Sequence, residues 1–229
     1  MSDLASLIIS ITPYAIGALF SPLILVTLLT TISPTNRPRL SSFAYLFGSI
    51  IIFLILVFIG LYIGTALFAA NARPVQTGGT IEIVLGIILI IIAVKTIFIL
   101  EESREGRIIG IINTLREDNN LSIFLKFFYY GFITTLSSFT TAILMVIAGV
   151  IIGVSSPGFT NSAISVIILG LISLLVVEIP FIFYLISPIS AEDILDPFRK
   201  WIPKYGEYVA SLVYLLLGIF FLVRGFFSF

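Results

Sequence analysis

The chain has 229 residues, 59% of them hydrophobic and only 10% charged, with 12 basic and 12 acidic side chains in balance. Soluble domains carry roughly 25% charged residues, so a mean hydropathy of +1.21 places this chain in a bilayer as a single polytopic domain. With no Cys and no His, disulfides, thiol chemistry, Cys/His zinc sites and histidine-based triads or proton shuttles are excluded, and zero net charge leaves no basic face for nucleic acid.

The N-terminal segment has no positively charged region and runs straight into apolar sequence, so no cleavable signal peptide is expected. The first predicted span, about Leu7–Ser33, contains the run Tyr14 to Thr31, interrupted in its middle by Ser21-Pro22. Proline has no N–H for the carbonyl of Ala18, and its ring clashes there, so a helix must kink or open. In hydrocarbon that carbonyl needs another partner: buried protein, a Ser/Thr side chain or a wet cavity. Broken helices of this kind build midplane sites in many secondary transporters.

Five further spans follow, about Ser41–Ala69, Gly79–Leu100, Ile123–Val154, Ala163–Ile186 and Tyr208–Phe227. Each is long enough to cross ~30 Å of hydrocarbon. Between them lie the turn-rich connections SPTNRPR, NARPVQTGG and SSPGFTN. Two connections look amphipathic and are expected to lie in the interface. One carries Ile108, Ile109, Ile111, Ile112 and Leu115. The other has Ser190 as its expected N-cap and Ile194, Leu195, Phe198, Trp201 and Ile202 on one face. The glycosylation pattern Asn120-Leu121-Ser122 falls in a loop assigned to the cytoplasm and carries no weight.

Loop charges set an orientation. Arg37, Arg39, Arg104, Arg107, Arg116, Lys126, Arg199, Lys200 and Lys204 fall on one side, and only Arg73 and Arg224 on the other. The expectation is a multi-pass protein of the cell (cytoplasmic) membrane with both termini extracytoplasmic.

The stretch around Ser21 has an echo from Tyr130 to Gly149. Setting Gly17 against Gly131 brings Phe20-Ser21-Pro22 close to Leu136-Ser137-Ser138. Gly48 then matches Gly170, Gly86 matches Gly218, and Lys95 falls roughly against Arg224. Three spans followed by three similar ones must insert with opposite topology, the inverted-repeat plan of many transporters. The predicted organisation is therefore an all-α membrane protein of six transmembrane helices in two inverted three-helix repeats. Repeat 1 covers 1–101, an amphipathic connector 102–122 and repeat 2 123–229, all within one domain.

Among polar groups inside the membrane, Glu178 stands out, deep in the fifth span and followed by Pro180. An ionised carboxylate there costs at least ~3 kcal/mol, so it should be protonated, paired or wet. It is a candidate proton- or cation-coupling group, or a ligand for a cationic substrate; the alternative is a structural pair or a hydrogen-bonded neutral acid. On the fourth span Thr134, Ser137, Ser138 and Thr141 share one face at 100° per residue. That stripe can line a polar path or glue helices together. Lys95 is within snorkelling reach of the interface, Glu82 and Arg224 read as interfacial, and Gly17, Gly48, Gly86, Gly131, Gly170 and Gly218 as close-packing positions.

These residues carry a resemblance. Ala18 to Pro22, then Ser33-Pro34 with Arg37-Pro38-Arg39, then Phe43 to Gly48 resemble the first-repeat signature of the Sap/GAP family, the sulfolipid- or glycopeptidolipid-addressing proteins, within the LysE exporter superfamily. The resemblance implies six spans in two inverted repeats and export of amino acids, ions, lipids or other small solutes. In the fourth span Ser137-Ser138-Phe139 stand where such proteins carry an Asn-Pro-Lys-like element, and Ser49 stands where an aromatic follows the glycine of the second span.

The expectation is a secondary exporter of a small organic solute or lipid-like molecule. Ser21, Pro22, Thr134, Ser137, Ser138, Thr141 and Pro180 would form its site, and Glu178 would be its titratable element. The alternative is a lipid-handling accessory or scaffold without ion coupling. With no Walker motif, no His and a single deep carboxylate, neither an ATPase nor an intramembrane enzyme is expected. No cofactor or metal is expected; membrane lipids and a small-molecule or lipid substrate are the expected partners, and a homo-oligomer is left open.

Overall fold

The computed structural model describes residues 4–21, 24–25, 27–29, 37–69, 74–98, 119–155 and 158–227. Of these 95% are helical and none is in a strand. The helices are α1 (Leu4–Leu19), α2 (Pro38–Ala69), α3 (Pro74–Phe98), α4 (Asn120–Ser137), α5 (Phe139–Ser155), α6 (Phe159–Ser173), α7 (Leu175–Ile186) and α8 (Pro188–Phe226). Residues 24–25 and 27–29 are also helical.

Three segments are long and apolar enough to cross a membrane: α2, Gly79–Thr96 of α3 and Lys204–Phe226 of α8. The pairs α4–α5 and α6–α7 bend by 78° and 69° at short breaks, each a broken span or a re-entrant loop. The described residues thus hold three to five candidate spans, with the apolar α1 shorter. Of the first predicted span, Pro22 and residues 30–33 lie outside the described residues, as does the amphipathic run 107–116 of the predicted connector.

The second amphipathic segment differs from its expectation. It is not a separate interfacial helix: Pro188 to Phe226 is one 39-residue helix, joining the amphipathic turns directly to the last span. Its N-cap is Ser187 rather than Ser190. The Ser187 hydroxyl accepts from the Ser190 N–H, and Pro188 takes the first helical position, where a missing N–H costs nothing.

Apart from the amphipathic first half of α8, the helices are apolar all round, the pattern of segments with lipid on one side and protein on the other. Outward faces carry Phe58, Tyr62, Ile91 and Leu216, while Tyr14, Tyr45, Leu89, Tyr184 and Phe221 are fully buried. With little hydrophobic drive between helices in lipid, close backbone contact does the packing. A Cβ on Gly48 would run into the carbonyl of Phe128, and one on Gly131 into the carbonyl of Tyr45, so α2 and α4 approach backbone to backbone. Gly86 and Gly218 do the same for α3 and α8.

A bulky residue at that crossing has nowhere to go. Gly131→Leu is expected to destabilise the protein by at least ~1–3 kcal/mol, measured as a lower melting temperature in detergent micelles, whereas Ile63→Ala on the exposed face of α2 should leave it nearly unchanged.

Candidate functional site

The first helix stops at Leu19, and Phe20 and Ser21 are non-helical. The Ser21 N–H turns back to the Leu19 carbonyl, and the chain resumes with the Leu25 N–H bonded to the Ser21 carbonyl. Pro22 itself lies outside the described residues. The carbonyl of Ala18, which a proline at position 22 cannot serve, accepts a hydrogen bond of 3.4 Å from the Thr141 hydroxyl. Next to it the Phe20 carbonyl accepts from the Tyr214 hydroxyl, and that of Ile24 from the Tyr45 hydroxyl at 3.1 Å. Side chains from α5, α8 and α2 thus converge on three carbonyls around the interruption.

The break between α4 and α5 faces this one. Ser138, at φ −73° and ψ 84°, leaves the helix, in a stretch dense with hydroxyls able to compete for backbone groups. Its Oγ lies 2.8 Å from Ser21 Oγ and 2.8 Å from Thr141 Oγ1. Ser21, Ser138 and Thr141 are all buried, so the two broken helices are joined through a chain of three hydroxyls.

The break also splits the predicted hydroxyl stripe, because a 100° repeat holds only along an unbroken helix. Thr134 joins another group: its Oγ1 donates to the Tyr130 carbonyl at 2.6 Å and lies 2.8 Å from Tyr45 OH. Ser137 is exposed. Ser49 donates to the Gly131 carbonyl at 3.3 Å and accepts from Thr135 at 3.2 Å, extending the polar contact between α2 and α4.

Beside the break lies a cavity of about 580 Å³, bounded by Leu19, Phe20, Ser21, Leu25 and Leu29, by α7 and by the first half of α8. Its wall is apolar almost throughout. Among the described residues, Ser21 and Trp201 are its only lining side chains with a polar atom, and Pro180, Phe183, Phe198 and Val209 are typical of the rest. The amphipathic face predicted from Ile194 to Ile202 forms part of it.

Glu178 stands apart from both features. It is half-buried, does not line the cavity, and its carboxylate makes no hydrogen bond or ion pair among the described residues. Helical spacing sets it on the side of α7 that carries the exposed Ile182 and Leu185. Lys95 is exposed and makes no ion pair with it. The break in this span falls at Leu174, ahead of Pro180, in a stretch whose sequence has no Gly or Pro to mark it.

The family model described as Sap, sulfolipid-1-addressing protein, matches residues 11–226. The chain belongs to the Sap family. No curated protein and no solved structure matches it.

Two contributions of this Sap-family chain escaped the sequence reading. Tyr214 reads as one more aromatic in an apolar span; its hydroxyl, bonded to the Phe20 carbonyl and to the Thr140 side chain, matters only once the helices are assembled. Glu82 and Arg224 are not separate charges. Glu82 is 5% exposed, its Oε1 lies 3.2 Å from Arg224 Nε, and Tyr14 OH approaches the same oxygen at 3.5 Å. The sequence signal was two opposite charges near the same end of two spans, the third and the last.

Ser21→Ala and Ser138→Ala should each lower stability, and a double-mutant cycle should return a coupling of about 0.6–1.7 kcal/mol, the range for hydrogen bonds between membrane helices. Thr141→Val, which leaves the Ala18 carbonyl unserved, should cost about 1–3 kcal/mol. Both follow from unfolding in mixed micelles.

Proposed function

We propose that the protein is a membrane carrier for a lipid-like molecule, holding acyl chain in the cavity beside the broken first helix. The observation that carries this reading is the cavity itself. At about 580 Å³ it falls within the ~300–1,000 Å³ range of ligand sites. Its wall offers an amino acid or ion almost no polar group, and a desolvated charge there would go unpaired. The family description names sulfolipid addressing, and an amphiphile with long apolar chains suits such a wall.

The architecture supporting this is a pair of inverted three-helix repeats of the LysE-like exporter plan. In this reading the breaks at Ser21 and Ser138 are equivalent points that meet near the centre, and the Gly86–Gly218 contact lies on the axis relating the halves. The loop charges set both termini on the extracytoplasmic side of the cell membrane, which puts the cavity towards the cytoplasmic leaflet. Lipid enters there by its chains. Ser21, the one hydroxyl at the wall among the described residues, marks where a polar headgroup meets the junction of the two breaks. The reading needs no cofactor and no covalent chemistry.

A second reading, a lipid-handling accessory without ion coupling, is favoured by one observation: Glu178 lies off the cavity and on the outer face of α7. Reconstitution separates the two readings. In proteoliposomes containing a fluorescent diacyl lipid, the wild type should speed transfer between leaflets over protein-free vesicles, and an imposed pH gradient should bias it. Val209→Trp, which fills the cavity, should slow transfer at least several-fold, and Glu178→Gln should leave it unchanged. Accelerated amino-acid flux with no lipid transfer would sink the lipid reading. Transfer indifferent to the gradient would favour the accessory.

A further inference from the structure

The cavity and the hydroxyl junction leave one buried charged group without a role. Glu82 is buried close to the start of the membrane-spanning part of α3, and its two oxygens are unequally served. Oε1 meets Arg224 Nε at 3.2 Å and Tyr14 OH at 3.5 Å, while Oε2 is buried with no hydrogen-bond partner among the described residues. A carboxylate kept only for structure is normally satisfied at both oxygens, and in lipid an unserved one is costly. Among the described residues, the groups facing it are few. α1 contributes Tyr14 and no other titratable side chain, α8 brings Arg224 within ion-pair distance, and α5, which also touches α3, has no titratable residue at all. The Arg224 side chain is 34% exposed, so its charge can remain solvated when its partner is neutral.

A single carboxylate is too poor a cage for a metal ion, which takes six or more oxygens for calcium or magnesium. No cluster of three acidic residues exists among the described residues. A proton needs only the one oxygen that is unserved.

The two helices that close on Glu82 also reach the cavity. On α1, Tyr14 precedes the cavity-lining Leu19 by five residues, about 7 Å of helix. On α8, Arg224 follows the cavity-lining Ala210 by fourteen residues, about 21 Å. Between the two ends the Tyr214 hydroxyl ties α8 to the Phe20 carbonyl just past the end of α1.

We infer that Glu82, and not Glu178, is the intramembrane carboxylate that takes up and releases a proton, and that this exchange is linked to the cavity through α1 and α8. In the deprotonated state Glu82 holds Arg224 and the three helices together. A proton arriving on Oε2 neutralises the carboxylate and breaks its ion pair with the guanidinium, which keeps its own proton. α1 and α8 then shift against α3, changing the cavity wall that they share. The linkage rests on the cavity being the working site proposed above; the proton site does not.

The chain has a single tryptophan, Trp201, in the cavity wall, so both parts are tested on the full chain in nanodiscs of phosphatidylcholine and phosphatidylglycerol. Infrared difference spectra over a pH titration should show a protonated-carboxyl band in the wild type and in Glu178→Gln that is lost in Glu82→Gln. Trp201 emission should shift with the same midpoint in the wild type and stay fixed in Glu82→Gln. A band that persists in Glu82→Gln, or disappears in Glu178→Gln, overturns the proton site. A Trp201 shift indifferent to Glu82→Gln overturns the linkage. Should Glu82→Gln fail to fold, Arg224→Gln serves instead: it should move the midpoint while Arg224→Lys keeps it near that of the wild type, and an unmoved midpoint in Arg224→Gln overturns the site. If the wild type titrates in this way yet transfers no lipid in proteoliposomes, the carrier reading fails and the proton site stands.

Discussion

Everything near the centre of this protein answers to one demand: a backbone interrupted inside a bilayer must find hydrogen bonds elsewhere. The first helix ends at Leu19, and three carbonyls around the interruption, those of Ala18, Phe20 and Ile24, are each met by a side-chain hydroxyl from a different helix. Thr141, Tyr214 and Tyr45 are thus fixed in place by the chain they serve. The opposing interruption at Ser138 closes the arrangement, since its hydroxyl bridges Ser21 and Thr141. Removing any one of these groups leaves a polar atom in a place that water reaches poorly, which is why they act as a set.

Around that centre the packing is made by absent side chains as much as by present ones. At the crossing of α2 with α4, Gly48 and Gly131 bring the two backbones into contact, and there the hydroxyls of Ser49, Thr134, Thr135 and Tyr45 are close enough to bond across. The crossing of α3 with α8 works the same way through Gly86 and Gly218, and near its end Glu82 meets Arg224. Close approach comes first and polar contact follows from it. The cavity lies where the chain lacks such an approach, between the interrupted first helix, α7 and the amphipathic half of α8.

Each break differs in how openly the sequence declares it. Ser21-Pro22 is explicit, because proline removes a donor and the demand for a substitute donor can be written down from the residues alone. Ser138 is half-declared by the hydroxyls gathered from Thr134 to Thr141, but their competition with the backbone does not say at which residue the helix gives way. Leu174 is not declared at all: neither Gly nor Pro stands at the break, and Pro180 further along invites placing the bend too late.

Composition, hydropathy and the proline at position 22 sufficed to establish an all-helical chain suited to a bilayer, the first interruption, and the need of the Ala18 carbonyl for a partner from outside its own helix. Those properties belong to single residues or to runs along the chain, and local chemistry decides them. Which hydroxyl answers, that Arg224 pairs with the buried Glu82 while Glu178 stands off the cavity, and that the amphipathic turns after Pro188 continue into the last span as the wall of a cavity, were decided by the tertiary structure. Each depends on the rotation and depth of one helix against another. In helices that are apolar on every side, the sequence carries almost no periodicity from which to read either.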